Sequence, residues 1–189
     1  YTRAMMGFLM FTPVPANVLM IGLGGGSLAK FIRRQRPQTH ITAVEIDPRV
    51  IAAARGHFEL PANDATLNVI EGDGALYVRQ HPASADVILL DGFDAGNQVE
   101  ALATQTFYAA CRRALRPGGV LVVNLWGRDR EFAEYLARLG VRSTARSAGS
   151  RCRTRPMSSC SASPSPGRPR VWKRFGYSWK TCRSAGGSI

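Results

Sequence analysis

Acid is the first thing this chain lacks. Residues 141–189 contain no aspartate or glutamate, against 11 Lys and Arg. Residues 1–140 hold 14 basic and 13 acidic side chains, so nearly all of the net charge of +12 belongs to the tail. Long apolar runs are also missing. Stretches such as Ala4–Phe11 fall far short of the roughly 20 residues that a membrane-spanning helix needs, and no secretory signal pattern opens the chain. Cysteine is scarce: Cys111 stands alone in the balanced part, with Cys152, Cys160 and Cys182 in the tail. Their spacing suits neither a zinc site nor a small disulfide scaffold. These absences argue against a membrane protein, a zinc module and a stapled secreted domain. A reduced, cytoplasmic setting without a metal centre is the simplest reading. The chain opens at Tyr1, which reads as the start of a trimmed or partial product.

What is present is an alternation of short aliphatic runs with amphipathic segments. Asn17–Ile21 (NVLMI) reads as a strand buried on both faces. Ser27–Gln35 then reads as a helix, with Leu28, Phe31 and Ile32 on one side and Lys30, Arg33 and Arg34 on the other. Further strands are predicted at Ile41–Ile46, Leu67–Ile70, Asp86–Leu90 and Val120–Leu125. Further helices are predicted at Pro48–His57, Gly74–Gln80, Thr106–Leu115 and Arg130–Leu139. Arg116-Pro117-Gly118-Gly119 reads as a stop-and-turn between the fourth helix and the fifth strand. Such alternation predicts an α/β fold, a mostly parallel sheet with helices on both faces. In these sheets ligands bind outside the carboxyl ends of the strands.

Those strand ends carry the chemistry. After the first come Gly22-Leu23-Gly24-Gly25-Gly26-Ser27. Glycines there, Gly22, Gly24 and Gly26 above all, let a ligand approach the backbone at a helix start, where free N–H groups meet polar ligand atoms. After the second come Glu45-Ile46-Asp47-Pro48. Glu45 lies 23 residues beyond Gly22, a distance at which an acid can accept hydrogen bonds from both ribose hydroxyls, while Asp47 is placed to cap the next helix. After the third come Glu71-Gly72-Asp73-Gly74, where a carboxylate can accept from an adenine amine or simply cap a helix. After the fourth come Asp91-Gly92-Phe93-Asp94, two acids on one short loop, suited to a cationic substrate. A nicotinamide-type fingerprint would want a glycine three residues after Gly24, and Ser27 stands there.

These motifs (VLMIGLGGGSLAKF, VEIDP, EGDGALYV, DVILLDGFD and FYAACRRALRPGGVLVVNLW) resemble, in order and spacing, the spermidine synthase (polyamine aminopropyltransferase) family, on a class I methyltransferase-like fold. The resemblance covers about residues 1–140. It implies transfer of an aminopropyl group from decarboxylated S-adenosylmethionine to an amine. It implies a catalytic role for Asp91, amine binding by Asp94, and nucleoside binding by the glycine loop, Glu45, Asp73 and Gly74. The adenosyl compound would be a co-substrate rather than a tightly bound cofactor. A homodimer is implied by the resemblance alone. Alternatives from the same residues are an S-adenosylmethionine-dependent methyltransferase acting on a small molecule and an inactive nucleotide-binding homologue. Some residues depart from the family pattern. Gly25 stands where an aspartate is usual, Gly92 replaces the serine of Asp-Ser-x-Asp, and Tyr1-Thr2-Arg3 is all that matches a tyrosine-histidine-glutamate element. The family's small N-terminal β-domain has no counterpart in residues 1–189.

The tail, residues 141–189, holds 11 Ser and 9 Arg with no lasting period. A change this abrupt after Leu139-Gly140 is what a GC-rich gene yields out of frame. The expectation is therefore a 1–140 domain whose C-terminal strands are missing, followed by a basic stretch of low order. Nucleic acid is not an expected partner, except through that stretch.

Overall fold

The computed structural model describes residues 2–91 and 102–124, together with the backbone of 93–94, 97–98 and 170–172. The chain starts with a short helix α1 (Thr2–Met5) and a 3-10 helix (Met6–Met10), which bury Met5, Met6 and Phe8. There follow β1 (Asn17–Ile21), α2 (Ser27–Gln35), β2 (His40–Glu45), α3 (Pro48–His57), β3 (Leu67–Glu71), α4 (Gly74–Gln80) and β4 (Ala85–Leu90). Two-residue strands β5 (Phe93–Asp94) and β6 (Asn97–Gln98) pair antiparallel. Then come α5 (Gln105–Ala114), β7 (Leu115–Val123) and β8 (Arg170–Trp172). The main sheet runs β3-β2-β1-β4-β7-β8 with every pairing parallel. Among the described residues no helix is long and apolar enough to cross a membrane.

Aliphatic runs make these strands because both faces are covered. Side chains alternate along each strand. Val18 and Met20 of β1, Val87 and Leu89 of β4, and Val120 and Val122 of β7 pack with Leu28 and Ile32 of α2 and Ala54 of α3. Their neighbours Leu19, Ile21, Ile88, Leu90, Leu121 and Val123 face the other way, against Val78 of α4 and Phe107, Cys111 and Ala114 of α5. The sheet thus separates two cores. At roughly 25 cal/mol per Å² of apolar surface removed from water, these two layers are the main source of stability.

Helix starts follow local chemistry. Asp47 caps α3 by accepting from Arg49 N–H at 2.8 Å, with Pro48 in the first turn. Thr104 caps α5 through Phe107 N–H at 3.1 Å.

Three features differ from the sequence expectation. Arg116-Pro117-Gly118-Gly119 is not a separate turn. The ladder already starts at Ala85↔Leu115 and resumes at Val87↔Val120, so the segment bulges within the strand. Gly118 at φ 78° absorbs the bend, and Pro117 lacks an N–H that a regular ladder would need. The Thr2–Met10 helical segment had no sequence signal, because Gly7 interrupts its apolar pattern. Lastly, the basic tail is not devoid of strand: Arg170–Trp172 pairs with Val120–Val122 on the sheet's edge. Val171 and Trp172 favour extended backbone, and the edge of β7 offers unpaired N–H and C=O groups. The predicted helix Arg130–Leu139 and the rest of the tail lie outside the described residues.

Candidate functional site

The chain leaves β1, builds outward through β2 and β3, and returns to β4 on the other side of β1. Connections therefore diverge between β1 and β4, and the crevice above their carboxyl ends is where this topology puts a ligand. The ends of β1, β2, β3, β4 and β7 meet there.

The glycine loop leaves β1 at Gly22, whose N–H donates to Val44 O at 2.9 Å. Gly24 has φ 53°, and a Cβ built on it would meet nothing within 4 Å. Backbone conformation, not crowding, demands glycine here, and the loop presents an open face. Gly26 has φ 70°, and its Cβ would come within 2.7 Å of Leu60 Cδ1. As the N-cap of α2 it offers no side-chain cap, so the first amides of the helix have no side-chain acceptor from that position. Gly25 lies under the Phe58 ring, which a Cβ would approach to 3.2 Å.

Glu45 closes the second flank. It is buried, and its two oxygens are held apart by backbone donors. Leu23 N–H donates to Oε2 at 2.9 Å, and Asp47 N–H donates to Oε1 at 3.1 Å. A carboxylate has about four lone-pair directions, so each oxygen keeps capacity for another donor. Asp47 itself points back along α3 and pairs with Arg49 at 2.7 Å. The Arg49 guanidinium holds its carboxyl below the usual carboxylate range.

At the third strand end Asp73 caps α4. Its Oδ1 accepts from Ala75 N–H at 2.7 Å and from Leu76 N–H at 3.3 Å. Among the described residues no donor reaches Oδ2. Gly74 packs so tightly on β1 that a Cβ would overlap Ile21 Cγ2.

At the fourth strand end Asp91 N–H donates to Ile21 O at 2.9 Å, seating the residue beside Gly22. Its Oδ1 accepts from Asn124 Nδ2 at 2.8 Å. Asp94, expected on the same loop, sits in β5 opposite Asn97. Its side chain lies outside the described residues.

The glycine loop, Glu45 and Asp91 are therefore joined by direct hydrogen bonds to β1 or its loop, and Asp73 stands at the next helix start. Three further residues were not singled out from sequence. Ile46 is 71% exposed and Leu76 is 45% exposed, two large apolar side chains left open beside Glu45 and Asp73. For Ile46 a signal was available, since an apolar residue directly after the acid at a strand end is not needed for the core; Leu76, inside α4, had none. Asn124, at the end of β7, had no such signal.

A model of the spermine/spermidine synthase domain matches residues 1–135. The chain belongs to this family. A polyamine aminopropyltransferase of Chromobacterium violaceum is 47% identical over 139 residues, covering 74% of this chain and 53% of that protein. The chain thus spans about half the length of the curated relatives it matches. Among solved structures, a spermidine synthase in complex with the transition state analogue AdoDATO superposes with a TM-score of 0.62 at 28% identity, over 74% of this chain and 50% of that one. Human methyltransferase-like protein 13 in complex with SAH superposes at 0.64 and 30% identity, over 72% and 70%. A solved spermidine synthase and a solved methyltransferase thus both superpose on the fold of this chain.

Proposed function

We propose that the chain is the nucleotide-binding part of a polyamine aminopropyltransferase. It would take decarboxylated S-adenosylmethionine and a small-molecule amine and release methylthioadenosine. The observation that carries this reading is the Glu45 carboxylate, suspended beside the glycine loop by Leu23 N–H and Asp47 N–H. It has acceptor capacity left for two ribose hydroxyls. The open apolar faces of Ile46 and Leu76 suit an adenine ring, with Asp73 Oδ2 available to its amine. The bare Gly24 backbone permits close approach of the sulfur-bearing chain.

In the transfer, the lone pair of the amine nitrogen bonds to the propyl carbon attached to the sulfonium. The carbon–sulfur bond breaks, and its electron pair passes to sulfur, which leaves as a neutral thioether. The nitrogen's proton goes to Asp91 and then to water. An amine attacks only when neutral, so an ionised carboxylate in reach of that proton is what the step requires. Asp94 would hold a second ammonium of the amine by charge. The sulfonium needs orientation more than activation.

A second reading is methyl transfer from S-adenosylmethionine, favoured by the overlap with a methyltransferase solved with SAH. Calorimetry separates the two. Methylthioadenosine and the decarboxylated co-substrate should bind more tightly than S-adenosylmethionine, because the acids on the Asp91–Asp94 segment disfavour its carboxylate. A clear preference for S-adenosylmethionine would reject aminopropyl transfer.

A further inference from the structure

Asn124 stands beside Asp91 because the sheet puts it there. Its backbone N–H donates to Leu90 O at 2.9 Å, while Asp91 N–H donates to Ile21 O at 2.9 Å. The ends of β1, β4 and β7 are thereby stepped against one another. From that seat the Asn124 carboxamide donates to Asp91 Oδ1 at 2.8 Å, across 33 residues of sequence. Both side chains are part-buried, so the bond is less exposed to competing water than a surface pair would be.

Such a bond has two chemical consequences. A carboxylate that takes a proton must aim a lone pair at it, and a free aspartate samples several rotamers. An N–H fixed on one oxygen sets the plane and so aims the whole group. An N–H donor also stabilises the ionised form over the protonated one. The flanking strand ends bring no competing charge: Ile21–Gly26 and Val122–Asn124 contain no ionisable side chain. On Asp91's own segment Asp94 follows three residues later, with its side chain outside the described residues. A neutral donor just past β7 favours the ionised carboxylate without introducing a cation that would repel the amine.

We infer that Asn124 is a positioning residue, holding the Asp91 carboxylate ionised and aimed for proton removal from the attacking amine. This rests on the proposed reading of Asp91 as the acceptor of that proton.

The test uses the full chain and compares Asn124→Leu and Asn124→Asp with the parent. The side-chain carboxyl of Asp91 is followed by carbon NMR and assigned by its loss in Asp91→Asn. Removing the donor in Asn124→Leu should raise the Asp91 titration midpoint by about one unit, the size expected for one hydrogen bond to a charged group. Asn124→Asp preserves size and should split the titration, with one carboxyl raised, as two acids in contact do. In turnover assays Asn124→Leu should lower kcat about tenfold or more. The acid limb of its pH profile should move upward, and the KM for decarboxylated S-adenosylmethionine should stay unchanged. An Asp91 midpoint that does not move in either variant overturns the inference, even if Asp91→Asn is inactive. Undiminished turnover in Asp91→Asn overturns it by removing the reading beneath it, and the two failures are told apart by which variant retains activity.

Discussion

Glu45 shows how a single side chain joins fold to site. Both of its oxygens accept a backbone N–H, one from the glycine loop and one from the start of α3. A carboxylate can satisfy both donors and still accept from a ligand. Glu45→Gln would leave an amide NH2 facing an N–H whichever way it turned. A buried donor without its acceptor costs about 1–3 kcal/mol. The variant should lose stability in urea unfolding and bind methylthioadenosine at least about tenfold more weakly, since hydrogen bonds to charged groups contribute about 1.5–3 kcal/mol each. Unchanged affinity by calorimetry would remove Glu45 from the ribose site.

At the scale of elements, α4 combines a structural and a binding demand in one residue. Asp73 caps the helix with Oδ1 alone, so the two roles can be separated. Asp73→Ala should cost about 1 kcal/mol of stability through the lost cap. Asp73→Asn should keep most of that stability, because asparagine caps nearly as well, yet weaken methylthioadenosine if Oδ2 accepts from the adenine amine. Equal binding by Asp73→Asn and the parent would make Asp73 a cap and nothing more. The same elements show what was legible in the sequence. Runs such as Asn17–Ile21 and Asp86–Leu90 were readable because burial on both faces demands long aliphatic stretches. Helix starts were readable because Asp47-Pro48 and Asp73-Gly74 satisfy amides locally. The Arg116–Gly119 bulge was not, because proline and glycine serve a bulge and a turn equally well. Asn124 was not, because its partner lies on another strand and only the folded sheet brings them together.

Across the whole molecule, response to acid depends on carboxylates that fold into contact with cations. Asp64, on the loop before β3, pairs with Arg33 of α2 at 2.8 Å. That guanidinium holds the Asp64 carboxyl well below its usual range, helped by Thr66 and Leu67 N–H groups. Asp47 is lowered by Arg49 in the same direction. Their partnerships differ, however. Arg49 is a near neighbour of Asp47 in the chain and can still approach it after unfolding, whereas Arg33 and Asp64 meet only in the fold. At the alkaline end, burial pushes the Cys111 thiol up to about 12. Ionisation of the unfolded thiol above about pH 8.5 therefore favours unfolding there. For Asp64 the folded value is lowered, so its contribution is present above the unfolded value of about 3.9 and is lost as pH falls towards the folded one. The Arg33–Asp64 pair is part-exposed, so its effect is modest and screened by salt. Arg33→Gln should lower the urea midpoint at pH 7, and the gap from the parent should narrow as pH falls below about 4. Concentrated salt should narrow it too. Some acid sensitivity should persist in the variant, because the Thr66 and Leu67 N–H groups still favour ionised Asp64. A gap equal at pH 7 and in acid would mean that Arg33 acts by packing its stem along α2, and that acid unfolding begins at another carboxylate.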